Sequence, residues 1–192
     1  PDEGTISFCG EDITSYKDDK LAVFRRKKCG FVFQQIYLLE RMSLMDNVLT
    51  AGLLVNNNKK EVVNRAKELF EKVKIPEITW KKFSTQISGG EAQRAGIVRA
   101  VIHQPEVLFA DEPTGALNSN HSDAVLDVFS ELNKEGQSII MVTHDKKTAL
   151  RANRVIYLKD GQIFGECDLG LYQEKDEKRK KKLDEFLIEM GW

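Results

Sequence analysis

Two carboxylates follow an apolar run in "VLFADEP" (107–113), and this combination can hold a metal ion and activate water. Open parallel sheets bind ligands at the carboxyl ends of their strands, where Asp111 and Glu112 are expected to lie. Asp111 suits Mg²⁺, which takes one or two carboxylates together with phosphate oxygens. Glu112 is then placed to polarise a water molecule. The simpler alternative is that both carboxylates cap a turn before Pro113.

Two other predicted strands also end in polar side chains. "MVTHD" (141–145) presents His144, which at the same sheet edge could donate a hydrogen bond to a phosphate or orient water. "FVFQQ" (31–35) presents Gln34, whose amide can ligate Mg²⁺ weakly and hydrogen-bond water. The alternatives are a structural histidine and a solvated glutamine.

A helix is predicted to begin within "QISGGEAQRAGIVRA" (86–100), although its first turn holds two glycines. Each glycine costs a helix about 1 kcal/mol relative to alanine. Ser88 and Glu91 have the spacing of a capping box, so the helix start itself is real. Helix N-termini bind anions, and glycine lets a phosphate approach the backbone without meeting a Cβ. Ser88, Gly89 and Gly90 therefore predict a site for a terminal phosphate.

The elements that position these residues alternate between strands and helices. This alternation predicts an α/β fold with a parallel sheet. The run at 107–111 is nearly all apolar, as expected of a strand buried on both faces. Asp160-Gly161 between two apolar runs predicts a hairpin over 154–166. Strands are predicted at 5–8, 30–34, 107–111 and 138–144, and a helix at 123–135.

Residues 43–83 differ, because "SLMDNVLTAGLLV" and "KKEVVNRAKELFEKVKI" are both helical in pattern. They predict a mainly helical subdomain inserted into the α/β core. The C-terminal tail has a charged run followed by Leu183, Phe186, Leu187 and Met190 at helical spacing. Two interpretations stay open: a helix that docks on its own domain, or a helix that binds a partner or a membrane surface.

Composition limits the classes of protein. The chain has 192 residues, 41% hydrophobic and 31% charged, with a net charge of −1, so it is globular and carries no signature of nucleic-acid binding. Three cysteines, far apart in sequence, suit a reducing cytosol. No apolar run approaches the ~20 residues of a membrane span. The chain opens at Pro1, almost directly on a strand, which suggests an N-terminal truncation.

Four features in chain order together resemble the nucleotide-binding domain of ATP-binding-cassette (ABC) ATPases. "ISGGEAQR" (87–94) resembles the signature LSGGQxQR, "VLFADE" the Walker B strand, "VTHD" the switch-histidine segment and Gln34 the Q-loop glutamine. The match spans residues 1 to about 166. Within the family, "GFVFQQIYLLERMSLMDNV" and "DEPTGAL" most resemble ATPases of macrolide-export, lipoprotein-release and bacitracin-resistance permeases.

The resemblance implies a role for each site residue. Asp111 helps to hold Mg²⁺, Glu112 is the base that positions the attacking water, and His144 contacts the γ-phosphate of the substrate ATP. Gln34 links Mg²⁺ and water to the permease contact. A head-to-tail homodimer would sandwich two ATP molecules. The γ-phosphate held by one subunit would then be bound in trans by the other subunit's Ser88, Gly89, Gly90 and Glu91.

Two departures from the family pattern matter. Asn118 stands where the family usually has an aspartate after Walker B, which puts its part in cross-talk between the two ATP sites in doubt. No GxxxxGK[ST] motif is present, since none of the 13 glycines precedes a lysine. That motif cradles the α- and β-phosphates, and the adenine-stacking aromatic is missing too. We therefore expect the chain alone neither to bind ATP tightly nor to hydrolyse it, and to be poorly stable.

The expected architecture is a P-loop NTPase-like ABC ATPase core, with a mainly parallel sheet flanked by helices, an inserted helical subdomain, and no P-loop strand or helix. Four segments are predicted: a partial core with the Q-loop (1–42), the helical subdomain ending in the signature helix (43–103), the core with Walker B and the switch histidine (104–166), and a helical tail (167–192).

The resemblance implies an ATPase subunit that drives an FtsX/MacB-like transmembrane permease. It would be cytoplasmic and peripheral on the inner face of the cell membrane. Two alternatives stay open. One is a soluble ABC ATPase of DNA repair or translation, although only 54 positions separate Gln34 from Ser88, too few for the long coiled coils of the chromosomal type. The other is a non-catalytic remnant.

Overall fold

The computed structural model describes residues 2–192, with every side chain among them except that of Asn120, and divides into two compact units after Val142. Pro1, where the predicted partial core begins, lies outside the described residues. The elements of the first unit are β1 (Ser7–Phe8), β2 (Glu11–Asp12), α1 (Asp18–Lys28), β3 (Cys29–Phe33), α2 (Leu44–Leu53), α3 (Lys59–Lys72), α4 (Gly89–Val101), β4 (Val107–Asp111), α5 (Ser119–Lys134) and β5 (Ser138–Val142).

The central sheet of this unit is parallel, in the order β3-β4-β5. Phe33 pairs with Asp111, and Asp111 pairs with Val142, so all three strands end at the same level. Helices α2, α3 and α4 lie between β3 and β4 in the chain, and α5 connects β4 to β5. The predicted α/β fold with a parallel sheet is confirmed.

The central strand β4 buries one face more deeply than the other. In β4, Leu108 and Ala110 are buried while Val107 and Phe109 are half-buried. The prediction that 107–111 is buried on both faces is therefore wrong. Helices of the first unit pack against the Leu108 side, whereas on the other side Phe31 stacks on Phe33 and Phe109 and stays partly exposed.

The helices between β3 and β4 supply most of the core. Leu44 and Val48 of α2 and Phe70 of α3 are fully buried. Trp80 stacks on Phe70 at 5.6 Å and donates from Nε1 to the carbonyl of Ile75. The division into four segments stays a prediction, because the boundary that the structure draws is the one after Val142.

The second unit contains α6 (Lys146–Ala149), β6 (Arg154–Lys159), β7 (Gln162–Asp168) and α7 (Glu177–Glu189). The predicted hairpin is β6-β7, and positive φ at Asp160 (51°) and Gly161 (76°) explains the turn residues. On α7, Leu183, Phe186 and Leu187 pack into the core of this unit, so the tail docks on its own unit. None of the helices in the described part of the chain has the length and apolar character needed to cross a bilayer.

Candidate functional site

The carboxyl edge of the sheet brings three of the predicted residues together. Phe33 and Asp111 are direct partners at the ends of β3 and β4, so Gln34 and Glu112 are the residues that leave these two neighbouring strand ends. The Gln34 amide lies over the backbone of Gly115, where a Cβ would come within 2.8 Å of Nε2. Gln34 and Asp111 are exposed and Glu112 is half-buried. The sheet therefore presents a carboxylate pair and an amide in one place.

Glu112 adopts a backbone conformation that few non-glycine residues use, with φ at +44°. Its N–H donates to the carbonyl of Val142 (2.9 Å), and its own carbonyl accepts from Gly115 N–H (3.0 Å). Strained backbone of this kind persists only when neighbours hold it, and it clusters at functional sites. These contacts turn the chain sharply at the strand end and fix Glu112 there.

The N-terminus of α4 carries the predicted capping box in full. Ser88 Oγ accepts from Glu91 N–H at 3.3 Å and donates to Glu91 Oε2 at 2.8 Å, while Ser88 N–H donates to the same Oε2 at 2.9 Å. The hydrogen bonds from the Ser88 backbone and hydroxyl lower the pKa of Glu91. Glu91 therefore adds a negative charge at the predicted phosphate site, where the family signature has a neutral glutamine.

The two glycines of this helix start have different surroundings. A Cβ on Gly90 would lie 3.1–3.2 Å from His121 on α5, tighter than most real contacts. A Cβ on Gly89 would meet only Leu117 Cδ2 at 3.4 Å, an ordinary contact. Packing against His121 therefore explains why residue 90 is glycine. The contacts around Gly89 do not explain why that residue is glycine too.

Asn118 and His144 lie at two other helix starts. Asn118 is the N-cap of α5, where its Oδ1 accepts from His121 N–H at 3.1 Å. His144 is exposed in a bend at the start of the second unit. The next residue, Asp145, caps α6 by accepting from the Thr148 N–H and hydroxyl.

Three contacting residues were not predicted from the sequence. Gln93 donates from Nε2 to the carbonyl of Phe33, and Arg99 donates to the carbonyls of Ile36 and Tyr37. His121 packs on Gly90. Sequence spacing gives little sign of them, because the Gln93 and Arg99 contacts span 60 or more positions. The available signal in the sequence is that Gln93 is a polar residue on the buried face of α4 among small residues, which indicates that its side chain has a hydrogen-bond partner.

The donor set at the sheet edge fits Mg²⁺ bound together with a phosphate. Among the described residues no group of three or more His, Cys, Asp or Glu side chains is arranged to hold a metal ion. Mg²⁺ usually keeps several waters and binds through one or two carboxylates plus substrate phosphates. The Asp111 carboxylate and the neighbouring Gln34 amide offer such a partial set of oxygen ligands.

Comparison with known proteins points in one direction. A family model described as ABC transporter matches residues 1–115. The ABC transporter ATP-binding protein YknY of Bacillus subtilis is 42% identical over 163 residues, which cover 85% of this chain and 70% of YknY. The lipoprotein-releasing system ATP-binding protein LolD of Aquifex aeolicus is 37% identical over 166 residues, 86% of this chain and 74% of LolD. The bacitracin export ATP-binding protein BceA of Halalkalibacterium halodurans is 39% identical over 168 residues, 87% of this chain and 66% of BceA.

A solved structure extends the similarity to the fold. The ATP-binding cassette MJ0796, determined as a dimer in a post-hydrolysis state with ADP and Pi, superposes with a TM-score of 0.78 and 32% identity. The superposition covers 88% of this chain and 75% of that cassette. The cassette fold expected from the motifs is confirmed.

Proposed function

The chain belongs to the ABC transporter family of ATP-binding proteins, whose members are ATPases, and on that premise we propose that it serves an export-type permease by contributing to an ATP site between two subunits. One observation carries the proposal: the start of α4 keeps a glycine at position 89 that no tight packing contact requires, inside the intact Ser88–Glu91 capping box. Export and lipoprotein release are named for relatives, and their assignment to this chain is part of the proposal.

Where a P-loop holds ATP beside this edge of the sheet, Glu112 would hold the attacking water and take up its proton. Its fixed position matters because phosphoryl transfer depends on positioning and charge stabilisation rather than on covalent chemistry by the protein. Asp111 and Gln34 would hold Mg²⁺, which would neutralise charge developing on the phosphates. His144 donates a hydrogen bond to the γ-phosphate.

The signature turn, defined as Ser88, Gly89, Gly90 and Glu91 at the start of α4, is proposed to act across the dimer. The capping box uses the N–H groups of Ser88 and Glu91, which leaves those of Gly89 and Gly90 to a phosphate on the second ATP-binding subunit. The helix dipole adds to this attraction, while the Glu91 carboxylate opposes it. Asn118 keeps the hydrogen-bonding shape of an aspartate but, as the N-cap of α5, offers no charge for cross-talk between sites.

The proposed contact for the permease is a groove of about 650 Å³ in the first unit. Its apolar lining includes Leu49, Leu53 and Phe83, and its basic residues include Arg41 and Lys81. An amphipathic helix could insert its apolar face into such a groove, with acidic residues facing Arg41, Lys59 and Lys81, although Asp46 also lines the groove. An FtsX/MacB-like permease supplying this helix would hold the chain on the inner face of the membrane.

The 192 residues contain no GxxxxGK[ST] motif. We therefore propose that the chain alone binds and hydrolyses no ATP, and that its signature turn completes a site whose P-loop another subunit supplies. A regulatory or scaffolding remnant is the competing outcome of the experiment below.

The test mixes this chain with a P-loop-bearing relative, such as YknY with its own signature motif disrupted, and measures phosphate release. We expect activity from the mixture and none from the chain alone. Gly89→Ala should abolish the stimulation without unfolding, because its Cβ meets no close neighbour. Ser7→Ala, on the exposed strand β1, is the matched control and should retain it.

The outcomes separate the alternatives. Tight Mg-ATP binding by the chain alone, measured by calorimetry, contradicts the proposed inactivity. A mixture with no activity, or activity that Gly89→Ala leaves unchanged, contradicts the action in trans and favours the remnant.

A further inference from the structure

Arg99, in the last turn of α4, holds the backbone of the segment that follows Gln34. Its Nη1 donates to the carbonyl of Tyr37 at 2.6 Å and its Nη2 to the carbonyl of Ile36 at 2.7 Å. A guanidinium presents its donors in a rigid fork, so it can fix two neighbouring carbonyls at once. Both acceptors are backbone atoms, so the contact specifies the path of the chain.

The backbone that Arg99 holds is strained. Tyr37 has φ at +49°, in the left-handed region that few residues with a side chain adopt. The residue is 63% exposed and its ring meets that of Phe33 edge-on at 5.8 Å, so burial of Tyr37 gives little support. Such a conformation persists only where the surroundings over-determine it. The fork from Arg99 binds the Tyr37 carbonyl and so opposes relaxation of this residue to negative φ.

Other contacts fix both ends of this segment. Gln93, which is buried, donates to the carbonyl of Phe33 at 3.1 Å, one residue before Gln34. Asn47, also buried, accepts from Leu39 N–H at 2.7 Å. Residues 34–38 therefore form a short bridge between two anchors, and Arg99 holds its middle.

We propose that Arg99 is a positioning residue, which keeps Tyr37 in its strained conformation and thereby keeps the Gln34 amide over Gly115, beside Asp111 and Glu112. Without the fork, Tyr37 relaxes to negative φ and the bridge changes its path. Gln34 then leaves Gly115. The importance of the Gln34 position for ATP hydrolysis rests on the function proposed above for Gln34. The hydrogen bonds of Arg99 to residues 36 and 37 do not depend on that proposal.

The test uses amide NMR of the full 192-residue chain with Arg99→Met, which keeps much of the aliphatic stem and removes the donors. We expect shifts in the side-chain amide signal of Gln34 and in the backbone signal of Gly115. Hydrogen exchange at the Leu39 amide should accelerate about tenfold, the effect of losing one or two hydrogen bonds. Arg99→Lys, which cannot form the fork, should shift the same signals by less.

Rescue distinguishes positioning from general support. Glycine adopts positive φ without strain, so adding Tyr37→Gly to Arg99→Met should return the Gln34 and Gly115 signals toward their original positions. The control is Arg65→Met on α3, whose ion pair with Glu68 is long at 3.8 Å, and it should leave both signals in place.

The inference is overturned if the Gln34 and Gly115 signals do not move in Arg99→Met, or if Tyr37→Gly fails to restore them in a chain that remains folded. If Arg99→Met does not fold, Arg99→Lys with and without Tyr37→Gly gives the same decision. These measurements use no nucleotide, so an inactive mixture in the phosphate-release assay refutes the proposed function and leaves this result intact.

Discussion

Removing the Ser88 hydroxyl should destabilise the first unit by about 1 kcal/mol, the usual cost of losing a helix N-cap. The hydroxyl both accepts from Glu91 N–H and donates to Glu91 Oε2, so Ser88→Ala breaks these two hydrogen bonds and keeps the one from Ser88 N–H to Glu91 Oε2. That cost corresponds to a fivefold change in the folding equilibrium, or about 3 °C in melting temperature for a chain of this size. Glu91→Gln should cost less, about 0.3–1 kcal/mol, because glutamine still accepts from Ser88 N–H and only the charge is lost.

Tryptophan fluorescence can measure this in the first unit alone. Trp80 is buried there, whereas Trp192 is half exposed in the second unit, so Trp192→Phe leaves a single reporter. Urea unfolding of this background, with and without Ser88→Ala or Glu91→Gln, gives the difference in midpoint at constant slope.

The pH dependence supplies an independent check with a definite sign. Hydrogen bonds from the Ser88 backbone and hydroxyl lower the pKa of Glu91 in the folded chain. Its contribution is therefore complete above the unfolded pKa of about 4.3 and is lost as the pH falls through the lower folded value. Glu91→Gln should remove that loss. If Ser88→Ala has no effect, or if Glu91→Gln keeps the original pH dependence, the capping box does not exist in solution.

Three further predictions follow from burial. Leu44→Ala, at a fully buried position, should cost about 2–5 kcal/mol in the same urea assay. Burial lowers the pKa of His103 more than its hydrogen bond to the Cys29 carbonyl raises it. Stability should therefore fall as the pH drops below the unfolded value of ~6.5, because the unfolded chain takes up a proton that the buried ring resists, and His103→Gln should flatten that part of a pH series. Gly90→Ala should lower the free energy of unfolding by about 1 kcal/mol, because overpacking against His121 costs about 1–3 kcal/mol and the higher helix propensity of alanine returns about 1 kcal/mol. With His121→Ala in the same chain, Gly90→Ala should instead raise the free energy of unfolding.

Local sequence patterns, namely short apolar runs that end in polar residues, predicted most strands of the central sheet and the residues at their carboxyl ends. Apolar runs ending in Asp111 and in "FVFQ" identified strands, and parallel pairing then required their ends to coincide. Helix α1 was not predicted, because it buries no residue and so has no apolar stripe. Its signal was electrostatic instead: Asp18 and Asp19 in the first turn and four basic residues in the last complement the helix dipole.

The remainder of the site depends on contacts that sequence spacing cannot reveal. The hydrogen bonds of Gln93 and Arg99 to residues 33–37 join positions 60 to 63 apart. Their acceptors are backbone carbonyls, so the side chains at 36 and 37 carry no complementary pattern. Only the packing of α4 against β3 brings the two segments together.

The two glycines of the signature turn must therefore be tested differently. A functional loss in Gly90→Ala does not identify a phosphate site, because the added methyl group meets His121 and disturbs the packing of α4 on α5. Gly89→Ala adds the same methyl group at an ordinary contact distance, so a loss of activity in a stably folded variant reports on what approaches the helix from outside. Helix propensity favours alanine at both positions by about 1 kcal/mol. A glycine at 89 without a packing reason is thus the strongest local indication that this turn faces a ligand.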